Sequence, residues 1–331
     1  MGGGGQIYDR DTKDGYTKTS GGFSTAAATE MSRSRIDAGL LPKNRRLTCT
    51  ALSPVVFGFD VTGSMGNLPK IIYDKMPLIA GQIVECGYLR DAQMSLAAIG
   101  DVQSDSAPVQ IGDFAKVRTL DDWLKRIWLE GKGGGNGGES YEYTAYFYAK
   151  YCDIPNATTP FFLITGDEDY RETLYESELA KHFGGKHKTT TAKKVIAELK
   201  KKFKGNVFLI HREYAQGDDA RIVSHWEELL GEERVIRLGS DPAIADVTLG
   251  LFAIMSGSRT LDEYLDDMKT KRDKAQTEER IEEVRKSLEP ITRLTPLTPP
   301  TSTAPATDAD EDGDEDPPSA PPAKKKKPGR V

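Results

Sequence analysis

The segment PVVFGFDVTGSM, Pro54–Met65, contains the strongest fold signal in the chain. Its first six residues are apolar or glycine, which is typical of a strand buried on both faces of a sheet. A polar, glycine-containing turn follows, and the spacing of apolar residues over 68–86 predicts a helix directly after it. A strand, a turn and a helix in this order predict one unit of an α/β fold.

Apolar runs of strand type alternate with amphipathic stretches along the middle of the chain. The predicted strands are Pro54–Phe59, Gln93–Ile99, Phe161–Ile164, Asn206–Ile210 and Arg234–Leu238, with a weaker one at Ala107–Ile111. The predicted helices are Leu68–Cys86, Leu120–Leu129, one beginning at Tyr141, Thr191–Phe203, Ala220–Leu230 and Ala243–Met255. We therefore expect an α/β fold with an open, doubly wound, Rossmann-like and mostly parallel sheet and helices on both faces.

Composition divides the chain into four regions. Residues 1–47 are rich in Gly, Ser, Thr and charge and are predicted to be a flexible arm, followed by the α/β domain at residues 48–258. Residues 259–289 have apolar residues at helical spacing in a highly charged context, which predicts a charged helical extension. Residues 290–331 are Pro-rich, then acidic, then Lys-rich, and such a tail is predicted to be disordered because it buries too little apolar surface.

The bulk properties exclude several classes of protein. A net charge of −6 argues against a generic nucleic-acid binder. The three cysteines form no CxxC pair, which favours a reducing compartment. No signal peptide is visible, and no apolar run approaches the ~18 residues that span a membrane. We expect a cytoplasmic protein without nucleic-acid or membrane partners.

The turn after the first strand has the side chains of a metal site. Asp60, Thr62 and Ser64 alternate, so their side chains can converge on one point while the glycines supply the bend. One carboxylate and two hydroxyls are hard oxygen donors, which suit Mg²⁺, Mn²⁺ or Ca²⁺ rather than zinc. The alternative is structural, since Asp, Thr and Ser also cap the N-termini of helices.

Three segments together resemble the metal-ion-dependent adhesion site (MIDAS) of von Willebrand factor type A (vWA) domains, in particular the intracellular branch with a DxTGSM loop. They are DVTGSM at Asp60–Met65, GKGGGNGGES at Gly131–Ser140 and ITGDED at Ile164–Asp169. The resemblance covers residues 52–258 and implies that three loops meet above the sheet. The metal ligands that it implies are Asp60, Thr62, Ser64, Asn136, Glu139 and Asp167, with Ser140 as a further candidate. Gly166 stands where the family's third loop has Asp, and Asp167 follows one residue later.

The function implied by this resemblance is a metal-dependent protein–protein interaction domain. A bound Mg²⁺, or Mn²⁺ or Ca²⁺, keeps open positions that an acidic side chain of a protein partner completes. Such domains accompany ring-forming ATPases in bacteria, so an AAA-type ATPase is a partner to consider for an adaptor or scaffold. This interpretation predicts no enzymatic activity.

Two alternatives stay open at this point. A haloacid dehalogenase-like, Mg²⁺-dependent phosphohydrolase would use Asp60 as the nucleophile and Asp167 as a metal ligand. Against it, Thr62 stands where those enzymes place their general acid, and a hydroxyl is a poor proton donor at neutral pH. The second alternative is a scaffold that binds no metal.

Overall fold

The computed structural model describes residues 36–116, 120–128, 138–214, 218–271 and 276–297. Most of the predicted arm, the predicted ligand Asn136, the rest of residues 129–137, and the tail from residue 298 lie outside these ranges. The predicted boundaries of the four regions therefore stay a prediction.

The described strands and helices follow the order of an α/β protein. The strands are β1 (Leu47–Thr48), β2 (Ser53–Asp60), β3 (Ala92–Ile99), β4 (Val109–Ile111), β5 (Ala115–Lys116), β6 (Cys152–Asp153), β7 (Phe161–Gly166), β8 (Thr173–Leu174), β9 (Thr190–Thr191), β10 (Val207–Arg212) and β11 (Val235–Leu238). The helices are α1 (Leu68–Glu85), α2 (Leu120–Arg126), α3 (Tyr141–Tyr151), α4 (Glu176–Phe183), α5 (Ala192–Lys202), α6 (Asp219–Leu230), α7 (Ile244–Met255), α8 (Leu261–Thr270) and α9 (Glu278–Leu288). None of these helices has the length and hydropathy needed to cross a bilayer.

The central sheet is mixed, which corrects the predicted fold class. Its order is β11-β10-β7-β2-β3-β4, and β5 also pairs with β3. The first five strands run parallel, whereas β4 and β5 are antiparallel to β3. The prediction of a doubly wound, Rossmann-like, vWA-like sheet is replaced by a mixed α/β fold with a mixed sheet.

A short connection explains the antiparallel edge. Only residues 100–108 separate β3 from β4, which is too few for a helical crossover to a parallel strand. The amide of Gly100 donates to the carbonyl of Pro108 at 2.8 Å, so the chain folds straight back on itself. The weak prediction of a strand at Ala107–Ile111 located this element without revealing its direction.

Helices cover both faces of the sheet because its central strands are apolar on both sides. On β2, Val55 and Phe57 belong to a core that includes residues of α1 and α7, whereas Val56 belongs to a second core with residues of α3 and α5. Burying one such side chain contributes about 1.5–3 kcal/mol. The two cores hold the strands in place, so the carboxyl ends of the parallel strands form one defined edge.

The last helices pack on the first core. Tyr264 of α8 and Leu288 of α9 are buried, and the Tyr264 hydroxyl donates to the carbonyl of Asp246 at 2.5 Å. Gly250 permits this approach, because a Cβ there would lie 2.3 Å from Leu288 Cδ1. The apolar residues within the charged stretch 259–289 therefore contribute to the core.

Two lysines in the basic stretch 181–204 have structural roles. The Nζ of Lys200 donates to the last two carbonyls of α6, at 3.0 and 2.9 Å. The Nζ of Lys202 donates to Tyr148 and Ala149 at the end of α3, at 2.9 and 2.7 Å. Carbonyls at the end of a helix lack intrahelical partners and favour positive charge, so these lysines stabilise two neighbouring helices.

Candidate functional site

Polar side chains collect at the carboxyl ends of three adjacent parallel strands. Asp60 ends β2, Asp167 follows β7, and Arg212 ends β10. Strand β7 pairs with β2 on one side and with β10 on the other, so these residues lie side by side at one edge of the sheet. Ligands of α/β proteins bind at this edge.

Hydroxyl groups join the two carboxylates in a continuous chain. Thr62 donates to Asp60 Oδ1 through its amide at 2.8 Å and through its hydroxyl at 2.6 Å. The hydroxyls of Thr62 and Ser64 are 3.2 Å apart, and Ser64 donates to Asp167 Oδ1 at 3.0 Å. We call Asp60, Thr62, Ser64 and Asp167 the Asp60–Asp167 cluster. Four of the six predicted ligands are thus brought together.

The turn does not serve to cap the following helix. The residue before α1 is Asn67, and its side chain makes no capping hydrogen bond. Thr62 precedes a short 3₁₀ turn, Gly63–Met65, and likewise makes no side-chain cap. Asp60 instead accepts the amide of Thr62 within its own loop. The polar residues of this turn therefore organise the cluster.

One cation borders the cluster. Arg212 Nη1 donates to the carbonyl of Ser64 at 3.1 Å and lies 3.7 Å from Asp167 Oδ2. Its Nε donates to Asp241 Oδ1 at 2.9 Å. The guanidinium therefore divides its charge between two carboxylates and neutralises the cluster only in part.

The carboxylates hold protons more tightly than usual. Burial raises the pKa of Asp60 to about 6 against the lowering effect of its hydrogen bonds to Thr62 and Tyr141. Burial, followed by the negative charge of Asp60, raises the pKa of Asp167 to about 7. Asp167 Oδ2 is buried and accepts no hydrogen bond from the described residues. Two neighbouring carboxylates, one of them with an oxygen that accepts no hydrogen bond, form an arrangement that further positive charge stabilises.

Glu139 lies near the cluster, and Ser140 is committed elsewhere. Burial and the negative charges of Asp60 and Asp101 raise the pKa of Glu139 to about 9, and its buried Oε2 has no hydrogen-bond partner in the described ranges. The hydroxyl oxygen of Ser140 accepts the amide of Val102 at 2.8 Å, so it secures the loop after β3. The assignment of Glu139 as a ligand stays a prediction.

Tyr141 is one of two site residues that the sequence analysis missed. It opens α3, and its hydroxyl donates to Asp60 Oδ2 at 2.6 Å. The sequence contained one signal for Tyr141, which is its position directly after Glu139 and Ser140. A helix that begins at this edge of the sheet places its first residues near the carboxyl ends of the strands. Arg212 was also missed, although the end of the apolar run of β10 placed it at the same edge.

No family model matches the chain, and no curated protein matches it. Among solved structures, the pilus adhesin SpaC of Lactobacillus rhamnosus GG is 12% identical, with a TM-score of 0.44, over 64% of this chain and 31% of its own. A point mutant of the minor pilin PilB of Streptococcus sanguinis is 14% identical, with a TM-score of 0.38, over 64% of each chain. Three N-terminal domains of the pilus tip protein Mfa5 of Porphyromonas gingivalis are 11% identical, with a TM-score of 0.37, over 59% of this chain and 48% of that structure. The chain thus spans about a third of SpaC and about half of the Mfa5 structure.

These findings correct the family assignment made from the sequence. No family model, a vWA model included, matches the chain, and the three solved structures named above are a pilus adhesin, a minor pilin and a pilus tip protein. The described residues also contain no group of three or more His, Cys, Asp or Glu side chains that could hold a metal ion, so the six-ligand MIDAS that the resemblance implies is not supported. The predicted role as a metal-dependent adaptor that binds a partner's carboxylate is corrected together with the family assignment.

The phosphohydrolase alternative is corrected as well. Both oxygens of Asp60 accept hydrogen bonds, Oδ1 from Thr62 and Oδ2 from the phenol of Tyr141. Thr62 offers a hydroxyl where a general acid is required. No family model matches the chain, one of phosphohydrolases included.

Proposed function

We propose that this chain acts by binding rather than by catalysis, and that the Asp60–Asp167 cluster takes a hard divalent cation, with Mg²⁺ as the expected ion. One observation carries the proposal. Asp167 Oδ2 is buried at the edge of the sheet, where ligands bind, and it accepts no hydrogen bond from the described residues. Native proteins rarely leave a buried carboxylate oxygen without a partner, and a bound cation supplies one.

The donors of the cluster fit such an ion. Asp60 Oδ1, the hydroxyls of Thr62 and Ser64, and the carboxylate of Asp167 are oxygen atoms connected by contacts of 2.6 to 3.2 Å. Mg²⁺ is commonly bound through one or two carboxylates and keeps several waters. A bound ion would supply positive charge at the place where burial raises the pKa values of Asp60 and Asp167 and where the charge of Asp60 raises that of Asp167 further. The hydroxyls would then present their oxygens to the ion instead of bonding only to the carboxylates.

The proposal concerns the cation alone. No partner carboxylate is placed on the ion, and the binding of the ion stabilises the folded state by mass action. The acidic protein partner, the AAA-type ATPase, the lack of nucleic-acid and membrane partners and the cytoplasmic location remain predictions that nothing above tests.

Calorimetric titration of the full chain with MgCl₂ and MnCl₂ tests the proposal. We expect saturable binding by the wild type and a loss of at least about tenfold in affinity in Asp60→Asn and Asp167→Asn, because each loses a charged ligand. Asp169→Asn is the matched control. Asp169 is also a buried acid after β7, but His225 and Arg221 already engage it, so this variant is expected to bind as the wild type does.

A second measurement separates site binding from nonspecific attraction. The ion is expected to raise the Tm of the wild type and of Asp169→Asn but not that of Asp167→Asn. The absence of saturable Mg²⁺ and Mn²⁺ binding by the wild type would overturn the proposal, as would equal binding by all variants.

A further inference from the structure

Tyr141 holds one oxygen of Asp60 away from the remainder of the cluster. Its phenol and the Asp60 carboxylate are fully buried, and the 2.6 Å hydrogen bond joins the hydroxyl to Oδ2. The other oxygen, Oδ1, is the one that faces Thr62 and continues toward Ser64.

The phenol is fixed on several sides. A Cβ at Gly166 would lie 2.2 Å from the Tyr141 hydroxyl, so the ring fits against β7 only because residue 166 is glycine. The indole of Trp226 packs edge-on against the ring with centroids 5.5 Å apart, and its Nε1 donates to the carbonyl of Glu168 at 3.1 Å. The amide of Glu168 donates to the Tyr141 oxygen at 3.4 Å. The position of the hydroxyl is therefore fixed by the residues that pack around the ring.

The number of oxygens that Asp60 can offer has a chemical consequence. Ca²⁺ takes six to eight oxygen ligands and accepts a carboxylate through both oxygens, whereas Mg²⁺ requires near-ideal octahedral geometry and is satisfied by one oxygen from each carboxylate. At this site Oδ2 of Asp60 is buried against the phenol, so Oδ1 is the oxygen that faces the cluster and is placed to bind an ion. Such a ligand suits Mg²⁺ and penalises Ca²⁺.

We propose that Tyr141 is a specificity-determining positioning residue, which makes Asp60 a one-oxygen ligand and thereby favours Mg²⁺ over Ca²⁺ at the Asp60–Asp167 cluster. This inference rests on the proposed function, since it concerns which ion the same cluster takes. Tyr141 acts through Asp60 and does not itself contact the ion. Gly166 contributes to this arrangement because its lack of a side chain leaves space for the phenol.

The test compares Tyr141→Phe with Tyr148→Phe in the full chain. Tyr148 lies in the same helix, is equally buried and shares a hydrogen bond of 2.5 Å with Ser95, away from the cluster. The dissociation constants of Mg²⁺ and Ca²⁺ are measured for each variant by calorimetry. In Tyr141→Phe, the ratio of the Ca²⁺ constant to the Mg²⁺ constant is expected to fall by about tenfold, because Oδ2 becomes available to the larger ion. In Tyr148→Phe the ratio is expected to stay at the wild-type value.

A loss of packing alone would weaken both ions together and leave the ratio unchanged, and that result would overturn the inference. The wild type gives a second measurement that needs no variant. Its Tyr141 hydroxyl proton, observed by NMR, is expected to remain hydrogen-bonded after Mg²⁺ is added, and its release on binding would also overturn the inference. A wild type that binds neither ion refutes the proposed function itself, whereas a wild type that binds with an unaltered ratio in Tyr141→Phe refutes only the role of Tyr141.

Discussion

Asp167 and Asp169 are two buried acids, two residues apart after the same strand, in opposite electrostatic surroundings. Asp169 receives His225 Nδ1 at 2.6 Å, Arg221 Nη1 at 2.7 Å and the amide of Tyr170 at 2.9 Å. Asp167 has one hydroxyl bond from Ser64 and a guanidinium of Arg212 at 3.7 Å, and its Oδ2 accepts no hydrogen bond from the described residues. The chain supplies hydrogen-bond donors to both oxygens of Asp169 but to only one oxygen of Asp167.

These surroundings imply that the charge of Asp169 stabilises the folded state, whereas the charge of Asp167 destabilises it. Removing a charge whose partners are in place leaves those partners without compensation, whereas removing a poorly compensated buried charge relieves the folded state. Substitutions at the two positions are therefore expected to change stability in opposite directions.

Asp169→Asn is expected to have the largest effect. It removes the charge that pairs with Arg221 and His225, so the free energy of unfolding is expected to fall by about 2–3 kcal/mol. Urea denaturation followed by circular dichroism measures the change. A loss below about 0.5 kcal/mol, the range of ordinary surface substitutions, would mean that these ion pairs do not hold the loop.

Asp167→Asn is expected to act in the opposite direction. In EDTA at pH 8 the charged Asp167 costs the folded state free energy, so the isosteric amide is expected to stabilise the protein by about 1–2 kcal/mol. The same denaturation experiment applies, with EDTA present so that no divalent cation offsets the charge. Destabilisation comparable to that of Asp169→Asn would abolish the distinction between the two acids.

The pH dependence of stability sharpens the comparison further. The folded-state pKa values of Asp60 and Asp167, about 6 and about 7, lie above the ordinary 3.8, so the folded state binds more protons than the unfolded state between these limits. Their contribution to stability is thus fully present below pH 3.8 and is lost as the pH rises through 6 and 7. Over pH 5–7, Asp167→Asn is expected to make the decline in the unfolding free energy shallower by about 1 kcal/mol per pH unit. Parallel wild-type and variant profiles would contradict this.

Arg212→Gln is expected to have the smallest effect. The substitution removes a positive charge next to Asp167 and frees Asp241, so the affinity for Mg²⁺ is expected to rise by roughly threefold, as befits a partly exposed pair. Arg221→Gln is the matched control, because its guanidinium serves Asp169 instead. Calorimetry measures both, and weaker binding in Arg212→Gln would show that the arginine supports the cluster through Ser64.

Several elements of the fold were accessible from the sequence because their signals are local. The continuous apolar runs predicted strands at Phe161–Ile164 and Asn206–Ile210, which overlap β7 and β10, and helical spacing predicted Leu68–Cys86, which overlaps α1. The direction of β4 was not accessible. Hydrophobic pattern records which side chains are buried and not which way a neighbouring strand runs, so the mixed sheet emerged only from the turn between Gly100 and Pro108.

The residues of the site likewise divide into those that a local sequence pattern predicts and those that it does not. The alternation of Asp60, Thr62 and Ser64 predicted their convergence because all three lie in one turn, and Asp167 followed from its place at the end of a strand. The contacts of Tyr141 and Arg212 with this turn cross 81 and 148 residues of sequence, so no local pattern contains them. The family assignment rested on loop motifs, and loop motifs do not determine the direction of an edge strand.

The fit between Gly166 and Tyr141 constrains how this sequence can change over evolutionary time. Any side chain at position 166 collides with the phenol, and any loss of the phenol leaves Asp60 with a free oxygen. The two positions are therefore expected to covary among homologues, with glycine kept wherever tyrosine is kept. Their order of replacement is also fixed, because Tyr141 must give way before a larger residue can enter at 166.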